Sequence, residues 1–223
     1  MSIKISVNYS PNFNPKKRKV RQIKFIIFHY TGMKKESDAI NKLTNIQSQV
    51  SSHYFIKNNG DIITLVPCLY TAWHAGKSFW KNYDYLNKVS IGIEISNPGH
   101  QFGYKKFKKK QINSLLRLSN FLVKEYKINP KNILGHSDIS PNRKKDPGEK
   151  FPWKDLARHK IGIWYKLPKK NLRLSNVVVT LKEKNSFYNN LKKIGYCLQK
   201  KPKHLKSVVR AFQRRYRPEI ING

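Results

Sequence analysis

The segment Gly135-His136-Ser137-Asp138-Ile139-Ser140-Pro141-Asn142-Arg143-Lys144-Lys145-Asp146-Pro147-Gly148 holds the densest set of groups that could do chemistry. It sets a histidine just after an apolar run, then brings a carboxylate back past it through a loop containing two prolines. A second histidine, His29, ends the apolar run Phe25-Ile26-Ile27-Phe28 and is followed by Tyr30-Thr31-Gly32. Histidine and aspartate are both good zinc ligands. Two histidines at strand ends and one loop aspartate make three protein ligands and leave a fourth tetrahedral position for water. That is the arrangement of a catalytic zinc site, not a structural one.

The elements that must position these groups are legible in outline. Apolar content and length predict a strand at about residues 22 to 29, and a helix from Glu36 to about Val50 with Ala39, Ile40, Leu43, Ile46 and Val50 near one face. Tyr54-Phe55-Ile56-Lys57 and Ile62-Ile63-Thr64-Leu65-Val66 flank Asn58-Asn59-Gly60-Asp61, a hairpin signal. From Val89 to Ser96 the alternation predicts a strand with Ile91, Ile93 and Ile95 on one face and Ser90, Gly92 and Glu94 on the other. A second helix is predicted from about Lys109 to Tyr126, stopped by Asn129-Pro130 before the short run Ile133-Leu134 that leads to His136. The expected class is α/β: a sheet covered by helices, with loops at one edge holding the metal.

Five segments in order carry a resemblance to a known family: Phe28-His29-Tyr30-Thr31, Ser52-His53-Tyr54-Phe55-Ile56, Trp73-His74-Ala75-Gly76, Ser90-Ile91-Gly92-Ile93-Glu94 and the Gly135 to Gly148 block. Through them the chain resembles the zinc-dependent N-acetylmuramoyl-L-alanine amidases of the AmpD and AmiD type, relatives of animal peptidoglycan recognition proteins. The resemblance implies a mixed central sheet with flanking helices. It also implies zinc held by His29, His136 and Asp146. The implied reaction is hydrolysis of the amide between the lactyl group of N-acetylmuramic acid and the L-alanine of the stem peptide. A water bound to such a metal has its pKa lowered toward ~7 and can attack an amide carbonyl without a covalent enzyme intermediate.

Two further groups are needed. Glu94, on the polar face of its strand, is the candidate general base. Lys144 matches the lysine that the family uses to stabilise the transition state, and it would carry its ammonium to the metal's edge on the ligand loop itself. His74 and its neighbour Ala75 are expected at the substrate cleft, because a fourth protein ligand would close the position that water needs. Tyr30, Asn97 and Arg143 are expected to contact sugar or stem-peptide carboxylates from their placement near the ligands. His53 is assigned a structural role at its hairpin, and His100, His159 and His204 have no matched context.

Composition bounds the partners. With 46 lysines and arginines against 12 acidic residues, the formal charge is +34, which speaks to association and not to fold. Lysine is spread along the chain with no recognisable nucleic-acid module, so specific nucleic acid is not expected, while peptidoglycan stem peptides, anionic cell-wall polymers and lipid headgroups would be attracted equally well. It is the resemblance that implies peptidoglycan or anhydro-muropeptide as the partner. A monomer is expected. A non-catalytic muropeptide-binding protein is the alternative, disfavoured because the full ligand set is kept. Cys68 and Cys197 lie far apart and read as buried thiols.

The first residues lack a continuous apolar stretch, which points to the cytoplasm; AmiD-like features, Tyr9 to Asn14 and the C-terminal helices, point instead to the periplasm or outer membrane. The expected organisation is an amidase domain over residues 1–165, a linker over 166–182, and a truncated helical segment over 183–223. That last segment resembles the start of the peptidoglycan-binding module attached to AmiD-type amidases, with amphipathic stretches near 184 to 195 and 203 to 216.

Overall fold

A computed structural model describes residues 5–166, 180–199 and 201–223. Two short strands, β1 (Ile5–Val7) and β2 (Phe13–Asn14), precede the core strand β3 (Phe25–Tyr30). β3 begins later than the apolar pattern suggests, because the N–H groups of Gln22 and Ile23 donate back to Lys19 and Val20 and close a 3-10 turn. Helix α1 (Glu36–Thr44) stops well short of Val50. There Asn45 Oδ1 accepts the Gln47 N–H at 2.9 Å and begins a separate turn, which ends with Gln49 at φ 50°.

The hairpin forms as β4 (Tyr54–Ile56) and β5 (Ile62–Thr64). Gly60 sits in its turn at φ +92°, where a Cβ would also meet the Lys110 carbonyl oxygen at 2.9 Å. Then come β6 (Thr71–Ala72), β7 (Phe79–Trp80), β8 (Tyr83–Asp84) and the second long strand β9 (Ser90–Ile95). Helix α2 (Lys109–Glu125) leads to the short strand β10 (Ile133–Gly135), directly followed by α3 (His136–Ile139) and then α4 (Trp153–Arg158). The C-terminal pair is α5 (Leu181–Ile194) and α6 (Pro202–Tyr216). Most of the expected linker, including Leu167 to Asn171 and Val177 to Val179, lies outside the described residues.

The main sheet is mixed, in the order β1-β5-β4-β9-β3-β10, parallel throughout except for the β4–β5 hairpin. Period-two alternation sorts its side chains. Ile26 and Phe28 of β3, with Ile91, Ile93 and Ile95 of β9, pack under Leu115, Leu118 and Leu122 of α2. The three β9 isoleucines are fully buried, each contributing about 1.5–3 kcal/mol of hydrophobic stabilisation. Phe25 and Ile27 point the other way, into a second core with Trp80, Leu134, Leu191 of α5, and Val208 and Ala211 of α6. The C-terminal helices therefore close the second face of the sheet. Of the two cysteines, both free, Cys68 is buried and Cys197 only half-buried. Among the described residues no helix is long and apolar enough to cross a membrane.

This frame sets where chemistry can occur. His29 and Glu94 lie near the carboxyl ends of the parallel neighbours β3 and β9, paired in register, and His136 follows β10 immediately. Ligand sites in sheets with parallel strands gather at that end.

Candidate metal centre and cleft

His29 continues the Phe25 and Ile27 face of β3, beyond the cover of the C-terminal helices. His136 is delivered to it by β10, and the Ser137 N–H donates to the Asp146 carbonyl at 2.8 Å, folding the ligand loop back on itself. His29 Nδ1 lies 2.9 Å from His136 Nδ1 and 3.1 Å from Asp146 Oδ2, and His136 Nδ1 lies 3.0 Å from the same oxygen. All three side chains are buried. Donor atoms about 2.0–2.1 Å from a tetrahedral zinc would stand about 3.3 Å apart, close to this triangle.

The outer nitrogens decide what the inner ones offer. His136 Nε2 has the Ala75 carbonyl oxygen at 3.1 Å, an acceptor only, so Nε2 carries a proton there and Nδ1 is the nitrogen turned to the centre. His29 Nε2 is 3.0 Å from His74 Nδ1. Two imidazole nitrogens and a carboxylate oxygen converging inside the protein could hold a metal ion between them, a donor set that suits a divalent metal.

Electrostatics agree with the geometry. Burial, reinforced by His136, lowers the His29 pKa to about 4, against the opposing pull of Asp146. Burial alone would raise the Asp146 pKa, but the two histidines hold its carboxyl well below the usual range. His74 is kept far below the ordinary histidine value by burial and by its histidine neighbours, so its imidazole is neutral. Glu94 moves the opposite way: burial, then the Asp146 charge, pushes it up to about 8, while Lys144 and Lys42 pull it down. Its Oε2 is buried with no hydrogen-bond partner among the described residues.

A cavity of about 540 Å³ opens over the centre. Glu94, His136 and Asp146 line it, with Tyr30, Trp73 and His74 around them and a basic rim of Lys42, Arg143, Lys144 and Lys145. Tyr30, Arg143 and Lys144 thus all line the cleft. Arg143 is braced by donating to the Ala75 and Lys77 carbonyls at 3.0 and 2.9 Å.

Two expectations need correction, those for Ala75 and Asn97. Ala75 is fully buried, and its carbonyl oxygen serves His136 and Arg143, so it supports the centre from behind. Asn97 is buried in a loop, its amide donating to the Lys105 carbonyl and its oxygen accepting the Gly99 N–H, and it does not line the cavity. His74 lines the cavity, although it is only 9% exposed and both ring nitrogens have partners inside the protein.

Other groups carried no signal in the sequence. His100 lines the cleft, with Nδ1 2.8 Å from the Tyr30 hydroxyl and Nε2 2.9 Å from Glu149 Oε2. Asp138 is a buried junction: one oxygen accepts the Tyr196 hydroxyl at 2.6 Å, the other the Gly135 N–H at 2.8 Å and Arg215 Nη1 at 2.7 Å. Its partners are distant in sequence, and only the fold brings them together.

Comparison with known proteins places this geometry. A family model described as N-acetylmuramoyl-L-alanine amidase matches residues 19–149. The Escherichia coli N-acetylmuramoyl-L-alanine amidase AmiD is 36% identical over 217 residues, covering 91% of this chain and 78% of that protein. Its structure in complex with the substrate anhydro-N-acetylmuramic acid-L-Ala-D-gamma-Glu-L-Lys superposes with a TM-score of 0.79 at 35% identity, over 90% of this chain and 83% of that one. AmpDh3 from Pseudomonas aeruginosa, in complex with anhydromuramic pentapeptide, gives 0.80 at 31% identity over 93% and 87%. The 1,6-anhydro-N-acetylmuramyl-L-alanine amidase AmpD of Haemophilus influenzae is 42% identical over 108 residues, but these cover only 48% of this chain and 56% of that protein.

Proposed function

Because the chain belongs to the N-acetylmuramoyl-L-alanine amidase family, we propose that it is a zinc enzyme releasing stem peptides from anhydro-muropeptides by cleaving the bond between the muramic lactyl group and L-alanine. The observation that carries the metal reading is the convergence of His29 Nδ1, His136 Nδ1 and Asp146 Oδ2 at the floor of an open cleft. Anhydro-muropeptides bound in the AmiD and AmpDh3 complexes support the substrate class.

Zinc held by these three residues would supply a Lewis acid and a water of lowered pKa. The chain's own residues do the rest. Glu94, one strand away from His29, lines the cleft and keeps one carboxylate oxygen without a partner among the described residues, so it can take the proton of the attacking water and pass it to the departing amine. Lys144 brings a cation to the place where the amide oxygen gains charge, an interaction worth roughly 2.7–4 kcal/mol by comparison with oxyanion-hole groups. Lys42, Arg143 and Lys145 give the rim a sign that suits the carboxylates of a stem peptide. Tyr30, held by His100, offers its phenol to the bound sugar or peptide.

The test is metal content together with mass-spectrometric product analysis on intact sacculi and on purified anhydro-muropeptide, with a chelator control. Stoichiometric zinc and chelator-sensitive release of free stem peptide from anhydro-muropeptide are expected. A folded, zinc-loaded protein that cleaves neither substrate would overturn the proposal.

A further inference from the structure

His29 can ligate through Nδ1 only if its proton sits on Nε2, and the structure contains a device that puts it there. His29 Nε2 meets His74 Nδ1 at 3.0 Å, and His74 Nε2 meets Ser90 Oγ at 3.1 Å. Taken alone, either histidine could be the donor. Ser90 breaks the tie. Its hydroxyl proton is already committed to the Leu86 carbonyl at 2.6 Å, so Ser90 Oγ can only accept from His74. A neutral His74 then carries its proton on Nε2 and presents a lone pair at Nδ1, so His29 must donate from Nε2.

We propose that Ser90 and His74 form a one-way hydrogen-bond relay that fixes the tautomer of His29, making His74 a positioning residue for the metal centre and not a substrate contact. The inference rests on the reading of His29 as a metal ligand. It deepens that reading by naming what orients the ring.

The surroundings are shaped to this end. Ser90 is fully buried, and its acceptor Leu86 belongs to the turn that leads directly into β9. Gly92 lies two residues along the same face of β9, and a Cβ there would meet His74 Cγ at 2.4 Å and Nδ1 at 2.6 Å. Only glycine leaves room for the imidazole to lie against the strand. His136 reaches the same protonation pattern by a shorter route, through the Ala75 carbonyl next to His74 in the chain. Residues 74 and 75 thus set the tautomers of both histidine ligands. Groups that orient a ligating histidine this way typically govern metal affinity by 10- to 100-fold.

The experiment has two arms. In the metal-free wild-type protein, nitrogen-15 NMR of the imidazoles should show both His29 and His74 protonated on Nε2; a His29 with no proton on Nε2 would refute the relay. This arm needs no metal, so it stands even if the ligand reading fails. In the second arm, zinc affinity is measured by competition with a chromophoric chelator. His74→Leu should weaken binding about 10- to 100-fold, Ser90→Ala less, and His74→Gln, which can still accept from His29 and donate to Ser90, should recover much of the loss. Unchanged zinc affinity in His74→Leu with a raised KM would make His74 a substrate contact and overturn the proposal. No zinc binding by wild type, with the tautomers as expected, would instead sink the ligand reading alone.

Discussion

Replacing Arg215 with leucine should cost this protein a large part of its stability, although the residue lies in the C-terminal helix and outside the cleft. The Arg215 and Asp138 side chains are 3% and 1% exposed and meet at 2.7 Å. Removing one partner of such a pair strands the other charge in the interior, typically at about 3–5 kcal/mol. Two effects adjust that figure. Asp138 keeps the Tyr196 hydroxyl and the Gly135 N–H, which moderates the loss. The guanidinium also lies 3.9 Å over the Trp153 ring, a contact worth about 0.5–2 kcal/mol that leucine only partly replaces. The two roughly offset, leaving about 3–5 kcal/mol. For a chain of this size that is a fall in Tm of about 6–20 °C. The assay is urea and thermal unfolding of the metal-free protein, with Asp138→Asn and the double variant completing a cycle. The double variant should recover part of the loss, since it no longer buries an unpaired carboxylate. A cost below about 1 kcal/mol for Arg215→Leu would refute the reasoning and mean that α6 is not firmly seated on the ligand loop.

Further expectations can be checked with the same protein. Glu94→Gln should retain zinc but lose about 10²- to 10⁴-fold in turnover, measured by product release under saturating substrate. Since burial raises the Glu94 pKa to about 8, the metal-free fold favours its neutral form; that stability is full below the ordinary carboxylate range and declines as pH rises toward 8. Denaturant midpoints at pH 5, 7 and 9 should therefore fall more steeply in wild type than in Glu94→Gln, by at most about 1.4 kcal/mol per pH unit. Lys144→Met should lower kcat/KM by about 10²- to 10³-fold with zinc content unchanged, whereas Lys145→Met should change it by less than about threefold; equal effects would remove the special role of Lys144. Gly92→Ala forces the His74 ring off the strand, so it should destabilise the fold by about 1–3 kcal/mol and weaken zinc binding in the same preparation.

What the sequence made readable was the local pattern. Alternation along Ser90 to Ile95 assigned Glu94 to the side away from the isoleucines, and that is where β9 places it, because a pleated strand leaves no other choice. Apolar periodicity likewise located α2 to within a residue at its C-terminal end. Patterns stop informing where a single hydrogen bond decides the chain's course. The Asn45 turn that ends α1 early is one case, since Ile46 and Val50 continue the stripe that predicted a longer helix. The roles of Ala75 and Asn97 were misjudged for a related reason. A motif says that residues gather near a centre, not whether they line its open side or support its back. Asp138 was hidden more completely, because a buried carboxylate is recognised by its partners, and Tyr196 and Arg215 come from elements whose docking no local pattern predicts.

The candidate metal centre is assembled from two kinds of material. His29 and Glu94 are in register on adjacent strands, so their separation is fixed by the ladder spacing of about 4.8 Å and cannot drift without breaking the sheet. Asp146 and Lys144 arrive on an irregular loop that leaves the sheet after His136. One half of the centre is architecture, and the other is an insert. The insert is therefore the part open to redesign: a shortened loop, or a softer ligand at position 146, could retune metal preference and oxyanion stabilisation while the strand-borne half keeps its dimensions.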